Sequence, residues 1–273
     1  MDKWRVAVMN FPTYMALSFH NKNRLKDVSI RWYQSGTYPL QSLNYTYNEL
    51  ISAEKDALIF TDANWTLFAS YLLQYGKGLF NDKKVIFSAL MLTPFSMNEL
   101  TEELGIPEFK DADPEFYKSK TPTMTFANEM KKRIEHIAKY TKRPIYISVS
   151  TNEAVKNLLK DHLYGEGLLM RYSSKPYDNL AVMRRNFENT YLLDYLYETF
   201  YPETLTDVCL DLKGVKMLSI YYVPAFKSLL QFYKESGDVT HYDKLYSLLE
   251  SIVKRADYYS DEVRERYLKS INF

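Results

Sequence analysis

Residues 56–90 decide the fold, and they read DALIFTDANWTLFASYLLQYGKGLFNDKKVIFSAL. The apolar run 57–60 is short and continuous, which is typical of a strand buried in a parallel sheet. The amphipathic segment 65–75 follows it and predicts a helix that ends at a pair of nearby glycines. A second apolar run, 84–90, predicts another strand. We therefore expect a strand–helix–strand unit, from which parallel sheets covered by helices are built.

The same alternation continues to about residue 172. Ser96 as N-cap, with a glutamate three residues later, predicts a helix over 96–104. Helical spacing over 126–140 is followed by the apolar run 144–150, which predicts a third strand. A crossover helix opening at Thr151 and a turn then lead to a fourth strand within 165–172. These alternations predict one parallel sheet with covering helices.

The apolar period changes after Pro176 and stays helical to the end of the chain. Two apolar stripes, within 223–233 and 242–252, flank Gly237-Asp238 and predict an αα-hairpin. The predicted fold is therefore α/β, with an α/β domain over 1–175 followed by an all-helical lobe over 176–273.

Composition excludes several classes of protein. With 35 basic and 34 acidic side chains the net charge is +1, whereas a nucleic-acid-binding protein usually has a strongly basic face. The longest apolar runs fall short of the roughly 20 residues of a membrane-spanning helix. Cys209 is the only cysteine, so it forms no intrachain disulfide and is expected to be a small core residue. The 25 tyrosines suit helix packing, and also suit stacking on sugars.

The sequence contains no recognisable catalytic motif. Phosphate-binding loops, dinucleotide-binding glycine patterns and zinc-protease patterns are all absent, and the histidines are scattered. Asp111, Asp113 and Glu115 lie close together, and a solvated acidic loop explains them better than acid–base catalysis does. We therefore predict no catalytic residue, no metal site and no cofactor.

Asp62, Asn64 and Trp65 are the candidate ligand-binding residues. They follow the first predicted strand, and ligands of open α/β sheets bind beyond the carboxyl ends of the strands. The two polar side chains could hold a hydroxylated ligand by hydrogen bonds while the indole stacks on its apolar face. In the alternative, Asp62 or Asn64 only caps the helix that follows.

Four segments together resemble a known family: Leu58–Asn64, Tyr71–Gln74, Arg143–Ile147 and Glu166–Leu168. They resemble the soluble C-terminal region of bacterial multi-spanning membrane proteins, common in Bacteroidetes and related to transmembrane O-mannosyltransferases of the type C glycosyltransferase fold. Many relatives carry Gly-Asp-Asn-Asp-Thr after the first strand, where this chain has Ala63, Asn64, Trp65 and Thr66. The acidic character of that loop is thus largely lost here.

The resemblance implies a non-catalytic soluble accessory domain that recognises or positions a glycan or protein acceptor. Type C enzymes carry their catalytic acid between membrane helices, so no catalytic residue is implied for this chain. Its partner would be the membrane portion of a longer parent protein, at the periplasmic face of the inner membrane. Two alternatives stay open: a free-standing extracytoplasmic carbohydrate- or peptide-binding protein, and a soluble transferase with an unfamiliar site. A cytoplasmic location also stays open.

Overall fold

Strands and helices alternate up to Tyr172 in a computed structural model that describes residues 20–110, 122–197, 218–256 and 259–271. The strands are β1 (Leu58–Thr61), β2 (Lys84–Phe87), β3 (Ile145–Ser148), β4 (Leu163–Gly165) and β5 (Leu169–Tyr172). The helices are α1 (Lys22–Ser35), α2 (Leu40–Ser52), α3 (Asn64–Tyr71), α4 (Ser88–Met91), α5 (Pro94–Leu104), α6 (Pro122–Tyr140), α7 (Glu153–Leu159), α8 (Asn179–Arg185), α9 (Val223–Ser236), α10 (Val239–Lys254) and α11 (Asp261–Ile271). Leu72–Gly76 and Asn186–Thr190 form π-helical turns after α3 and α8, and 3-10 turns cover Lys160–His162, Asp194–Leu196 and Leu218–Tyr222.

The sheet has the strand order β2-β1-β3-β5-β4, and the fold is α/β as the alternation predicts. β1 pairs in parallel with both β2 and β3. β5 runs antiparallel to β3, and β4 runs antiparallel to β5. The predicted parallel sheet is therefore confirmed for the centre, β2-β1-β3, and wrong for the β5-β4 edge, so the sheet is mixed.

The antiparallel edge arises from a hairpin that the sequence does not reveal. β4 is a short, half-buried segment that follows α7 with only a 3-10 turn between them, so it lacks the continuous apolar run of a buried strand. The turn 166–168 then reverses the chain and inserts β5 between β3 and β4. The predicted fourth strand is thus β5, and β4 was missed.

Gly167 makes this hairpin turn possible and is the subject of a first prediction. Its φ of +123° is in a region that side chains with a Cβ rarely adopt, and a Cβ there would lie 2.2 Å from the Tyr191 hydroxyl oxygen. That hydroxyl accepts a hydrogen bond from the Leu168 amide at 3.0 Å. Gly167→Ala is expected to destabilise the protein by about 2 kcal/mol through backbone strain and displacement of Tyr191.

Denaturant unfolding measures this effect, and Gly36→Ala is the matched control. Gly36 also has positive φ, at 64°, but nothing lies within 4 Å of a Cβ there. Its variant would therefore carry only the backbone part of the cost. Equal losses at the two positions would contradict the proposed clash with Tyr191.

The end of β2 and the start of α5 differ from the predicted positions. β2 ends at Phe87 rather than Leu90, because Ser88 begins the short helix α4. α5 begins at Pro94, with Thr93 as its N-cap, and the Thr93 side chain accepts a hydrogen bond from the Ser96 amide. Ser96 is therefore not the cap, because proline fits the first helical position and moves the helix start forward.

The two faces of the sheet are covered by different helices. Side chains alternate along a strand, so neighbouring residues of β1 and β3 belong to different cores. One face packs against α5, α6 and α7 through Leu58, Phe60, Ile86, Ile145 and Ile147. The other face packs against α2 and α3 through Ile59, Val85, Tyr146 and Leu169. Thr61 and Ser148 continue this second pattern, which places them on the side of α2 and α3.

The αα-hairpin is confirmed as α9 and α10, joined at Gly237. In the described residues after Tyr172, the chain contains helices and connecting segments but no strand. These helices share a core cluster with Tyr45 of α2 and Leu168 of the sheet hairpin. The division of the chain at residue 175 stays a prediction, because a shared core does not show whether either part folds alone.

Candidate functional site

The carboxyl ends of β1 and β3 lie side by side, because the two strands pair in parallel with Phe60 opposite Ile147. From β1 the chain continues to β2 on one side, and from β3 it continues to the β4–β5 hairpin on the other side. The point where successive connections diverge in this way is the usual ligand site of an open α/β sheet. The loops 61–64 and 149–152 border it.

Asp62, Asn64 and Trp65 lie at this position in different environments. Asp62 is half-buried, and its Oδ2 accepts a hydrogen bond from the backbone amide of Asn152 at 2.7 Å. Asn64 is exposed and is the first residue of α3. Trp65 is half-buried against the C-terminal helices, and its carbonyl oxygen accepts from the Tyr38 hydroxyl at 2.5 Å. Whether the three residues bind a ligand stays a prediction.

The alternative in which Asp62 or Asn64 caps α3 is wrong. The N-cap of α3 is Ala63, which makes no side-chain capping hydrogen bond. Asp62 instead holds the residue that caps α7, because Asn152 is the N-cap of that helix and accepts from the Ala154 amide at 2.8 Å. The carboxylate of Asp62 thus fixes the β3–α7 loop to the β1–α3 loop.

A buried polar cluster, consisting of Tyr45, Glu49, Thr66 and Ser148, lies on the α2 side of these loops. The side chains of Glu49, Tyr45 and Ser148 are 0% exposed, and Thr66 is 2% exposed. Ser148 donates a hydrogen bond to Oε1 of Glu49 at 2.5 Å. Oε2 of Glu49 and the hydroxyls of Tyr45 and Thr66 complete no hydrogen bond of normal geometry within the described part of the chain.

Burial raises the pKa of Glu49 from its ordinary 4.5 to about 8. A charged carboxylate loses its hydration in the interior, so the neutral form is favoured there. The hydroxyls of Ser148, Tyr45 and Thr66 stabilise the ionised form and oppose this shift. With this pKa, about nine in ten molecules carry a neutral Glu49 at pH 7.

A chain of hydrogen bonds leads from Glu49 to the loop after β1. The Ser148 hydroxyl oxygen lies 2.8 Å from that of Ser150, and the Ser150 hydroxyl oxygen lies 3.3 Å from that of Thr61. Thr61 in turn accepts from the backbone amide of Ala63 at 3.2 Å. The buried carboxyl is therefore connected to the residue between Asp62 and Asn64.

Tyrosines from the C-terminal helices close the far side of the polar cluster. Tyr45 packs against Tyr221 and Tyr222 with ring centroids 6.1 and 5.9 Å apart. Burial raises the pKa of Tyr191 to about 12 and holds the pKa of Tyr45 well above its ordinary 10. These phenols are neutral at physiological pH, and a phenol never carries the positive charge that could keep Glu49 ionised.

Nothing in the sequence patterns singles out Glu49 or Ser148 as functional. One local signal was present: polar residues recur on the buried face of α2, at Ser42, Tyr45, Thr46, Asn48, Glu49 and Ser52. Tyr45 and Glu49 are four residues apart, so they share one helix face. The partner of that face is separated from it by 99 positions in the chain, and only folding brings Ser148 to Glu49.

A buried ion pair elsewhere in the described chain has a structural role. Glu129 and Arg133, both 2% exposed, form an ion pair on α6, and Arg133 also donates to the Met91 carbonyl at 3.0 Å. That pair ties α6 to α4, on the opposite side of the sheet from the polar cluster. Across the described ranges, no group of three or more His, Cys, Asp or Glu side chains could hold a metal ion.

Several predictions concern residues outside the described ranges. Cys209 and the acidic loop with Asp111, Asp113 and Glu115 belong to them. None of the helices that the structure describes has the length and apolarity needed to cross a bilayer.

The fold and the site together define an α/β protein with a mixed sheet, whose parallel centre carries a buried polar cluster at its carboxyl end. No protein-family model, curated protein or solved structure matches the chain.

Proposed function

We propose that this chain is a non-catalytic binding domain that recognises or positions a glycan or protein acceptor. The observation that carries the proposal is a pair of unsatisfied polar atoms beside the exposed Asn64. Asp62 Oδ1 and Trp65 Nε1 are buried and make no hydrogen bond within the described chain. Leaving such a group unpaired costs about 1–3 kcal/mol, so a ligand that reaches either group and pairs it gains that free energy.

The chemistry of the two atoms restricts the ligand. The Asp62 carboxylate only accepts hydrogen bonds, whereas the Trp65 indole N–H only donates them. A sugar hydroxyl or a peptide group offers both a donor and an acceptor. The indole ring can also stack on the apolar face of a pyranose ring. A glycan or a peptide segment therefore matches this site.

The resemblance of the four sequence segments supports a wider context for this binding. In that context the chain is the soluble region of a membrane glycosyltransferase-like protein at the periplasmic face of the inner membrane. Residues 1–175 would carry the site, and residues 176–273 would form an all-helical lobe that closes its far side. The parent protein's membrane portion would carry the catalytic residues.

Two other functions stay open. A free-standing extracytoplasmic carbohydrate- or peptide-binding protein would use the same three residues without a membrane partner. A soluble transferase is favoured by one observation, the Glu49 carboxyl with its pKa of about 8, because such a group can exchange a proton at neutral pH. Sugar transfer by the isolated chain that depends on Glu49 would favour this second alternative.

Glycan and peptide arrays test the proposed site. Asp62→Ala and Trp65→Leu are each expected to weaken binding about tenfold or more, since each removes a polar partner of the ligand. Asn64→Ala is expected to weaken binding less, because Asn64 is exposed. Asn157→Ala is the matched control, since Asn157 is also an exposed helix residue but lies on α7.

The same variants separate binding from folding. Asp62→Ala also loses the hydrogen bond to Asn152, so its free energy of unfolding is expected to fall by about 1 kcal/mol. Thermal unfolding measures that loss. If the wild type shows no detectable binding, or if wild type and variants bind equally, the proposed site is refuted.

A further inference from the structure

The hydrogen-bonded chain from Glu49 to Ala63 has a direction that depends on one proton. An ionised Glu49 only accepts hydrogen bonds, so the single Ser148 hydroxyl proton must point to it. Ser148 can then only accept from Ser150, and Ser150 can only accept from Thr61. In this state every hydroxyl donates toward Glu49.

A neutral Glu49 removes that requirement. Its own proton can be donated, and the Ser148 proton becomes free to point to Ser150 instead. The hydroxyl pairs Ser148–Ser150 and Thr61–Ser150 each allow either oxygen to donate. Protonation of Glu49 thus permits the whole chain to reverse, which changes the dipole that faces the Ala63 amide at its end.

We propose that the protonation state of Glu49 is transmitted through Ser148, Ser150 and Thr61 to the loop carrying Asp62, Asn64 and Trp65, and thereby sets how tightly that loop binds. The effect on binding rests on the function proposed above, whereas the transmission does not. Both ends of the path are buried, since Glu49 is 0% and Ala63 is 4% exposed. Bulk water therefore competes little at the two ends, and Ser150 between them is half-buried.

The groups around Glu49 allow it to change charge in the neutral to mildly basic range, where burial sets its pKa at about 8. Among the residues that the structure describes, the titratable groups that face it are phenols: Tyr45 of α2, Tyr191 and Tyr195 of the segment after α8, and Tyr221 before α9. None of the ion pairs formed among the described residues includes Glu49. No second titration is therefore expected near the cluster in that range.

Amide NMR on the full chain tests the transmission without any ligand. In the wild type, the Ala63 amide shift is expected to titrate with a midpoint at about pH 8. Glu49→Gln keeps the acceptor for Ser148 but has no proton to lose, so this titration should vanish. Ser148→Ala breaks the path, so Ala63 should stop responding while the Tyr45 ring signals still follow Glu49.

Two results would overturn the transmission. One is an Ala63 signal that does not change near the Glu49 midpoint in the wild type. The other is an Ala63 titration that persists in a variant. Persistence in Glu49→Gln would show that another group titrates, and persistence in Ser148→Ala would show that the signal takes another path.

The glycan and peptide arrays, read at about pH 6 and about pH 9.5, test the effect on binding. Wild-type binding is expected to differ about fivefold or more between the two conditions, and Glu49→Gln binding is expected to be constant. Equal wild-type binding at the two pH values would refute the proposal that Glu49 controls the affinity of the loop. Absence of array binding would refute the proposed function instead, and the NMR titration would still decide whether the signal is transmitted.

Discussion

Replacing Glu49 by glutamine is expected to stabilise the protein at pH 8 and to leave its stability at pH 5 nearly unchanged. The native pKa of Glu49 is raised to about 8, whereas the unfolded chain has an ordinary value of about 4.5. Between these two values the native state binds a proton that the unfolded state has already lost. The contribution of Glu49 to the free energy of unfolding is therefore largest below about pH 4.5. It is lost as the pH rises from there to about 8.

The size of this effect follows from the width of the pH interval between the two pKa values. Each pH unit within it changes the free energy of unfolding by about 1.4 kcal/mol, so the wild type loses on the order of 4 kcal/mol between pH 5 and pH 8 through Glu49. Glutamine has no such proton, and its carbonyl oxygen can still accept from Ser148. The difference between variant and wild type should thus grow with pH.

Urea unfolding at several pH values measures this difference. Glu102→Gln is the matched control, because Glu102 is an exposed glutamate on α5 and its replacement should give a small, nearly constant change. A Glu49→Gln variant that is less stable than the wild type by the same amount at every pH would show that the carboxyl is ionised in the folded protein.

Asn48→Ala is expected to destabilise the protein by about 2–4 kcal/mol. Asn48 is 0% exposed on α2 and joins that helix to the C-terminal segment. Its Nδ2 donates to the Leu192 carbonyl at 2.8 Å and to the Tyr222 hydroxyl at 2.7 Å, and its Oδ1 accepts from the Leu192 amide at 2.8 Å. Alanine would remove all three hydrogen bonds, one of them with the buried Tyr222 hydroxyl, and would leave a cavity in the helix face.

Denaturant unfolding of a double-mutant cycle separates this connection from simple loss of packing. Asn48→Ala, Tyr222→Phe and their combination should show a coupling of about 1 kcal/mol or more, because the two side chains share one hydrogen bond. Asn157→Ala, at an exposed helix position, should change stability by less than about 0.5 kcal/mol. Additive losses in the cycle would mean that the contact contributes little.

The candidate site was only partly predictable from the sequence. Asp62, Asn64 and Trp65 follow an apolar strand that the sequence identifies, so their place at the carboxyl end of β1 could be predicted. The partner of Asp62 could not, because the Asn152 amide is 90 positions away in the chain. The helix cap at Ala63 likewise differs from the sequence preference for polar caps, since Asp62 is held by another loop.

The sequence by itself determined the elements whose signals are local. The β1–α3–β2 unit, β3 and the αα-hairpin each have an apolar period that matches their own geometry, and that period depends only on nearby residues. The direction of β5 and the contacts of Glu49 with Ser148, and of Asn48 with Leu192, were decided by tertiary structure alone. A strand pairs in either direction with the same apolar pattern, and a polar side chain on a buried helix face acquires its partner and its pKa only when distant segments pack around it.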